Sequence, residues 1–482
     1  MSDGHHHDLC GCCGSICRRD FLTTVSASAL AAQSGLLAFA AEAAPPQTGP
    51  DGKPRVRVAF LHPNVEKYWM GWPGAAYDIA ARKADYTKTL TEAAAKYAVQ
   101  LEISPAPVAD DAAVDQLLAQ CKDNPPEGVI LVMQDLNTSW PKANRFAKEK
   151  GNLPTIIFSP MGSSFTGHLQ GSRNAPRTFI AATQHYDWLE VAVRMMRTLY
   201  DMRTSRLLIV NGDKTEDKKL DVIGTTLHYI PLDRWTEEAK AVETTDEVKA
   251  LADYYTKLAR KIVEPKAEDI LNAAKNYFIA RRLMAAENCQ GISLNCLGLV
   301  GARRIPCPPC IAWMKLNDEG SVGCCECDWN AAISLLLTAR LCRRGGFMQD
   351  PAPNTVNNTL MGAHCSSPSK LRGFDKDHEP LILRSHSESN IGVSPQVIWP
   401  LGEPVTVMKF QGPGKILLGT GKVVANIDTP PSGGCRTSVE LEMDNKPNCL
   451  DCKGFHQLFV LGKLDLLYKA YCQLAGIEVE PI

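Results

Sequence analysis

CPPCIAWMKLNDEGSVGCCECDWNAAISLLLTARL, residues 307–341, runs from a cysteine-rich block through two acids into an apolar helix pattern. Glu326 and Asp328 fall where an apolar strand ends and that helix begins. In a parallel sheet this is the edge at which ligands bind. Asp328 is placed to cap the helix starting near Trp329, and the helix N-terminus keeps it ionised. A cap and nothing more is the plainer reading of an Asp there. Glu326, two residues earlier, shares its face if the backbone is extended, which makes a polar corner. Five cysteines surround the pair: Cys307, Cys310, Cys324, Cys325 and Cys327. Four thiolates at such spacing could hold zinc or an iron–sulfur cluster, although the second set is CCxC and not CxxC. The alternative is that they are small buried core residues.

Upstream of this block, strands alternate with helices. Residues 56–61, 99–104, 128–133 and 154–158 read as strands, the third an unbroken apolar run; 87–98, 112–122 and 142–150 read as helices. That alternation predicts parallel βαβ units. No GxGxxG follows the first strand, so no dinucleotide cofactor is expected. A second α/β region has strands at 178–183, 206–211 and 291–294 and helices at 188–202, 248–263 and 268–287. Residues 380–445 are rich in Val, Ile, Thr, Pro and Gly in short alternating runs, which reads as an antiparallel sheet or barrel. GPGKILLGTGKV (412–423) supplies turn glycines and not a phosphate loop, because no helix follows it. A helix at 464–474 ends the chain.

The predicted class is therefore α/β: two Rossmann-like parallel-sheet domains, then a β-rich, antiparallel or barrel-like C-terminal domain. The boundaries are 1–44 signal, 45–54 Pro/Gly linker, 55–175 and 176–353 for the α/β domains, and 354–482 for the last. At 482 residues the chain can bury large cores. A net charge of −1 excludes a general electrostatic attraction to nucleic acid or anionic membrane. Arg18-Arg19-Asp20-Phe21-Leu22 followed by an Ala-rich segment reads as a twin-arginine export signal, placing the mature protein in the periplasm or cell envelope with no membrane span after cleavage. His5, His6, His7, Cys10, Cys12, Cys13 and Cys17 form a metal-binding tract expected to leave with the signal. The other fourteen of the 18 cysteines permit disulfides after export.

Other candidates are scattered. Cys449-x2-Cys452-x3-His456 offers three zinc ligands, four with Cys435. His456 stands at the start of an apolar strand, and His364 lies in GAHCSSPSKL after a short one. Either is more often structural than a ligand. Tyr68, Trp69 and Trp72 could stack on a sugar face, with core packing as the default.

PCIAWMKLNDEGSVGCCECDWNAAISLLL, ILNAAKNYFIARRLMAAENCQGISLNC, GAHCSSPSKL and GFHQLFVLGKLDLLYKAYCQLAGIEV, in this order, resemble the L-fucose isomerase / L-arabinose isomerase-like family over about residues 55–480. The resemblance implies two α/β domains and a β-rich domain, a homo-oligomer, and metal-dependent aldose–ketose isomerisation of a small sugar through an enediol. The metal it implies is divalent, usually manganese (Mn2+). It makes Asp328 a metal ligand and proton-transfer residue, Glu326 a supporting carboxylate and ligand, and His456 the C-terminal ligand. His364, Trp69 and Trp72 are the candidate substrate contacts. The family also uses a metal-binding glutamate upstream of the aspartate, yet residues 295–310 contain no Asp or Glu. Two other readings stay open: an exported carbohydrate-binding protein without activity on the same fold, or a cysteine-ligated zinc or iron–sulfur protein.

Overall fold

The structure, a computed structural model, describes residues 52–482 apart from 69–71, 73, 429–433 and 446–447. The twin-arginine segment, the His/Cys tract and Trp69 lie outside the described residues.

The unbroken apolar run at 128–133 becomes the middle of a five-stranded parallel sheet. Its strands are β1 (Arg55–Leu61), β2 (Gln100–Ile103), β3 (Gly128–Met133), β4 (Thr155–Pro160) and β5 (Thr178–Thr183), in the order β2-β1-β3-β4-β5. Every residue of β3 and β4 is buried, as expected for strands covered on both faces. Helix Ile79–Lys96 starts eight residues before the sequence expectation. Asp78 accepts a hydrogen bond from Ala81 N at 2.8 Å and so caps it earlier.

A second sheet is built from β6 (Arg206–Val210), β7 (Glu216–Lys219), β8 (Thr226–Ile230), β10 (Gly291–Leu294) and β11 (Val322–Cys325), in the order β11-β10-β6-β8-β7. All neighbours are parallel except β7. β7 reads EDKK and is exposed throughout, a charged edge strand that periodicity does not reveal. The long helix expected over 248–263 ends at Leu258, and β9 (Lys261–Ile262) joins β14 (Leu381–Arg384) and β15 (Ser394–Val397) in a small third sheet.

From Phe347 the chain forms β12 (Phe347–Asn354), β13 (Thr359–His364), β16 (Pro404–Phe410), β17 (Lys415–Asn426), β18 (Thr437–Met443) and β19 (Gln457–Leu461). They close a six-stranded antiparallel barrel in the ring order β16-β19-β12-β13-β18-β17, sealed by β16 against β17. GPGKILLGTGKV supplies the β16–β17 turn and the first part of β17. β20 (Glu478–Pro481) adds to β17 after helix Asp465–Ala475. The class is thus mixed α/β, with a parallel first sheet and a closed antiparallel barrel in the C-terminal region. Residues 49–482 form one unit.

The apolar helix of the opening stretch, Trp329–Cys342, is buried on nearly every side and packs against β11, β16 and β19. A helix apolar all round belongs in the core. It joins the second sheet to the barrel. No helix among the described residues is long and apolar enough to cross a membrane.

One buried relay ties the second sheet's helices to the loop after β13. Tyr254 OH lies 2.7 Å from His378 Nε2, His378 Nδ1 lies 2.6 Å from Ser369 Oγ, and that hydroxyl donates to Asp318 Oδ2 at 2.5 Å. A neutral His378 protonated on Nδ1 satisfies every link. Burial, then Lys370 and Lys315, push its pKa down to about 4 against a weaker pull from Asp377. The unfolded chain therefore takes up a proton first as pH falls, so this contribution is present above pH ~6.5 and is lost on falling through pH ~4. Burial raises Asp318 to about 6, which acts with the opposite sign, so the readout is a difference. Between pH 7 and 4, wild type should lose about 2 kcal/mol relative to His378→Gln in urea unfolding. A pH-independent difference would refute this.

Candidate functional site

β10 and β11 lie side by side, and both turn into helices at the same edge. After β10, Asn295 caps helix Cys296–Gly301 by accepting from Gly298 N at 3.1 Å. After β11, Glu326 and Cys327 both adopt left-handed backbone, with φ of 60° and 56°. The extended backbone expected there is absent. A left-handed pair lets the chain reverse from strand to cap within three residues, and non-glycine residues hold it at a cost typical of functional sites. Asp328 then caps the buried helix, its Oδ1 accepting from Ala331 N at 3.0 Å.

The barrel supplies the opposite wall. Its consecutive ring neighbours β16, β19, β12 and β13 present Lys409, His456, Asp350 and His364 at one end. His456, just ahead of β19, also has left-handed backbone, with φ of 55°. Its Nδ1 donates to Asp328 Oδ2 at 2.9 Å, and Lys409 Nζ reaches the same oxygen at 2.9 Å. Lys409 also donates to the Phe455 carbonyl. The other ring nitrogen of His456, Nε2, faces Asp350 Oδ1 at 3.1 Å and Glu326 Oε2 at 3.5 Å. His364 Nε2 stands 3.5 Å from Glu326 Oε1. One ligand atom each from Glu326, His364 and His456 can be chosen so that all lie within 4.8 Å of one another.

The electrostatics follow from this crowding. The imidazoles of His364 and His456, each 3.5 Å away, hold Glu326 down at about 2. Burial opposes ionisation of Asp328, but His456 and Lys409 outweigh it and keep the carboxyl far below its usual range. Burial likewise opposes charge on His456, yet the facing carboxylates of Asp328, Asp350 and Glu326 raise it to about 10. The imidazolium and Lys409 together balance the acids.

The residues fit a divalent metal. His456 Nε2 and Asp350 Oδ1 are buried atoms with no hydrogen-bond partner, although they point at each other. Two imidazoles with carboxylates suit manganese, iron or zinc. Glu326, His364 and Asp350 would surround the ion with His456. Asp328 holds the far nitrogen of that histidine, as outer carboxylates do at many metal sites.

No family model and no curated protein matches this chain.

The structure brings Glu326, Asp328, His364 and His456 together from three separate segments. Trp72 is elsewhere: it is exposed and packs edge-on against Phe165, with ring centroids 5.0 Å apart. Of the cysteine block, Cys307, Cys310, Cys324 and Cys325 are buried. Cys310 is the one of them that joins a candidate ligand group, and its partners are Cys365 and His386, not the other cysteines of the block. Cys449 is buried, and His456 faces the acids. Sequence reading missed Asp350 and Lys409. QDPAPN and VTVMKF carry no motif; only barrel closure places these side chains beside β11.

Proposed function

We propose that this chain is an exported, metal-dependent sugar isomerase-like enzyme of the L-fucose isomerase type. The observation that carries the reading is the convergence of Glu326, His364, His456 and Asp350 beside Asp328, at the ligand-binding edge of a parallel sheet. The upstream glutamate implied by the resemblance is lacking, and Asp350 from the barrel offers a carboxylate in its stead. The finer architecture we infer is two Rossmann-like domains ahead of the barrel. Export by the twin-arginine route to the periplasm or cell envelope, and assembly as a homo-oligomer, complete the proposal.

A bound divalent ion, manganese by resemblance, would supply Lewis-acid polarisation of adjacent sugar oxygens. The chain's own residues do the rest. Asp328 fixes the ring of His456, and Lys409 keeps Asp328 ionised and in place. Glu326 binds through a carboxylate that stays charged down to low pH. Asp328 has both oxygens engaged, whereas Asp350 Oδ1 has no hydrogen-bond partner. Asp350 is thus the carboxylate placed to carry a proton between neighbouring sugar carbons.

Manganese content and ketose formation from a panel of aldoses should both be measured on the full-length protein. Wild type should hold one manganese equivalent more than Glu326→Gln and produce a ketose that Asp350→Asn does not. Equal manganese in wild type and Glu326→Gln, with no aldose turned over, would refute the proposal.

A further inference from the structure

A second cluster lies on the other side of the same strand end. Cys310 begins helix Cys310–Asp318, Cys365 directly follows β13, and His386 follows β14 by two residues. All three are at least 95% buried, and one ligand atom from each falls within a shared 4.8 Å. Cys435 comes two residues before β18, which pairs with β13 in a register that sets His364 opposite Thr437. That pairing brings Cys435 to Cys365, and the two thiols hydrogen-bond. His386 Nδ1 lies 2.9 Å from Ser389 Oγ, which leaves Nε2 for the sulfurs. No disulfide joins these cysteines.

We propose that Cys310, Cys365, Cys435 and His386 form a thiolate-rich site for zinc, separate from the acid–histidine site. Three sulfurs and one imidazole make a complete tetrahedral donor set, and a closed set of this kind is structural. Around zinc the donor atoms would stand about 3.5–3.8 Å apart, a small contraction for Cys310, Cys365 and His386, on which Cys435 would close from its place beside Cys365. Binding forms three Zn–S bonds and one Zn–N bond and releases the thiol protons to solvent, with no change in oxidation state.

The site has a structural consequence. His364 and Cys365 are successive residues at a strand end, so their side chains leave on opposite sides. Zinc on Cys365 would hold the backbone that presents His364 to Glu326. The site also fastens the second α/β region, through Cys310, to three loops of the barrel region.

The test uses full-length protein purified anaerobically with zinc, because residues 5–17 contain further histidines and cysteines. Relative to wild type, Cys365→Ser and Cys310→Ser should each lose one zinc equivalent, and Glu326→Gln should keep that thiolate-bound equivalent. Cobalt replacing that zinc should show thiolate-to-metal charge-transfer absorbance that is stronger in wild type and Glu326→Gln than in Cys365→Ser. If the serine variants fail to fold, alkylation mass spectrometry of native wild type decides. Cys310, Cys365 and Cys435 should be protected until a chelator is added. Reactivity that a chelator does not change, zinc lost from Glu326→Gln but kept in Cys365→Ser, or a Cys310–Cys365 disulfide in the anaerobic protein would each overturn the proposal.

Discussion

Asp328→Asn is expected to cost about 3–5 kcal/mol of stability at neutral pH, because it leaves a buried lysine without its counter-charge. The substitution keeps the shape of the side chain, and Asn caps a helix about as well as Asp, so Ala331 N remains satisfied. Lys409 is the group that suffers. It is 8% exposed and would retain the Phe455 carbonyl but lose its ion pair. Adding Lys409→Met should recover most of the loss, since an apolar side chain of similar volume often replaces a buried ion pair without penalty. Manganese affinity should behave differently. Both the single and the double variant should bind about 10- to 100-fold more weakly, because His456 loses the carboxylate that aligns its ring. Urea unfolding and titration calorimetry separate the two effects. A single variant as stable as wild type would show that Lys409 and Asp328 are not a desolvated pair, and a double variant with wild-type affinity would remove Asp328 from the metal site.

Much of the architecture is written locally. Gly128–Met133 can only be a strand covered on both faces, and the helix after Asp328 announces both its cap and its burial. The acidic corner was legible for the same reason: Glu326 and Asp328 belong to one strand-to-helix junction. Their partners were not. His456, Asp350, His364 and Lys409 meet because β19 inserts between β16 and β12, so that ring neighbours are distant in sequence. No periodicity encodes that order. The cysteines illustrate the same limit. Spacing grouped Cys310 with Cys307, yet Cys307 turns to its own carbonyl neighbourhood while Cys310 meets residues 55 and 76 positions away. Glu216–Lys219 shows the reverse failure, a strand whose charges look like a loop because it needs neither face buried.

Gly323→Val is expected to cost about 3 kcal/mol or more and to disable the acid–histidine site as well. Gly323 sits in β11 directly beneath helix Cys310–Asp318, where an added Cβ would come within 2.7 Å of Trp313 Cα and 2.8 Å of its Cε3. The nearest atom is backbone, so rotating a side chain cannot relieve the clash. Trp313 cannot retreat either, being fully buried with its ring edge-on to Trp235 at 5.9 Å. The strand must therefore move. β11 ends at Cys325, so its displacement carries Glu326 away from His364 and His456, whose contacts are already at 3.5 Å. Trimming the opposing ring tests the mechanism. Trp313→Leu alone should destabilise by about 3 kcal/mol through the cavity it leaves. Combined with Gly323→Val it should cost less than the sum, with a favourable coupling of about 1–3 kcal/mol. Unfolding midpoints of the four proteins give that coupling, and manganese titration shows whether Glu326 has returned. Strict additivity would mean that the Trp313 ring does not set the position of β11, and that the close approach of the Trp313 backbone carries the whole cost.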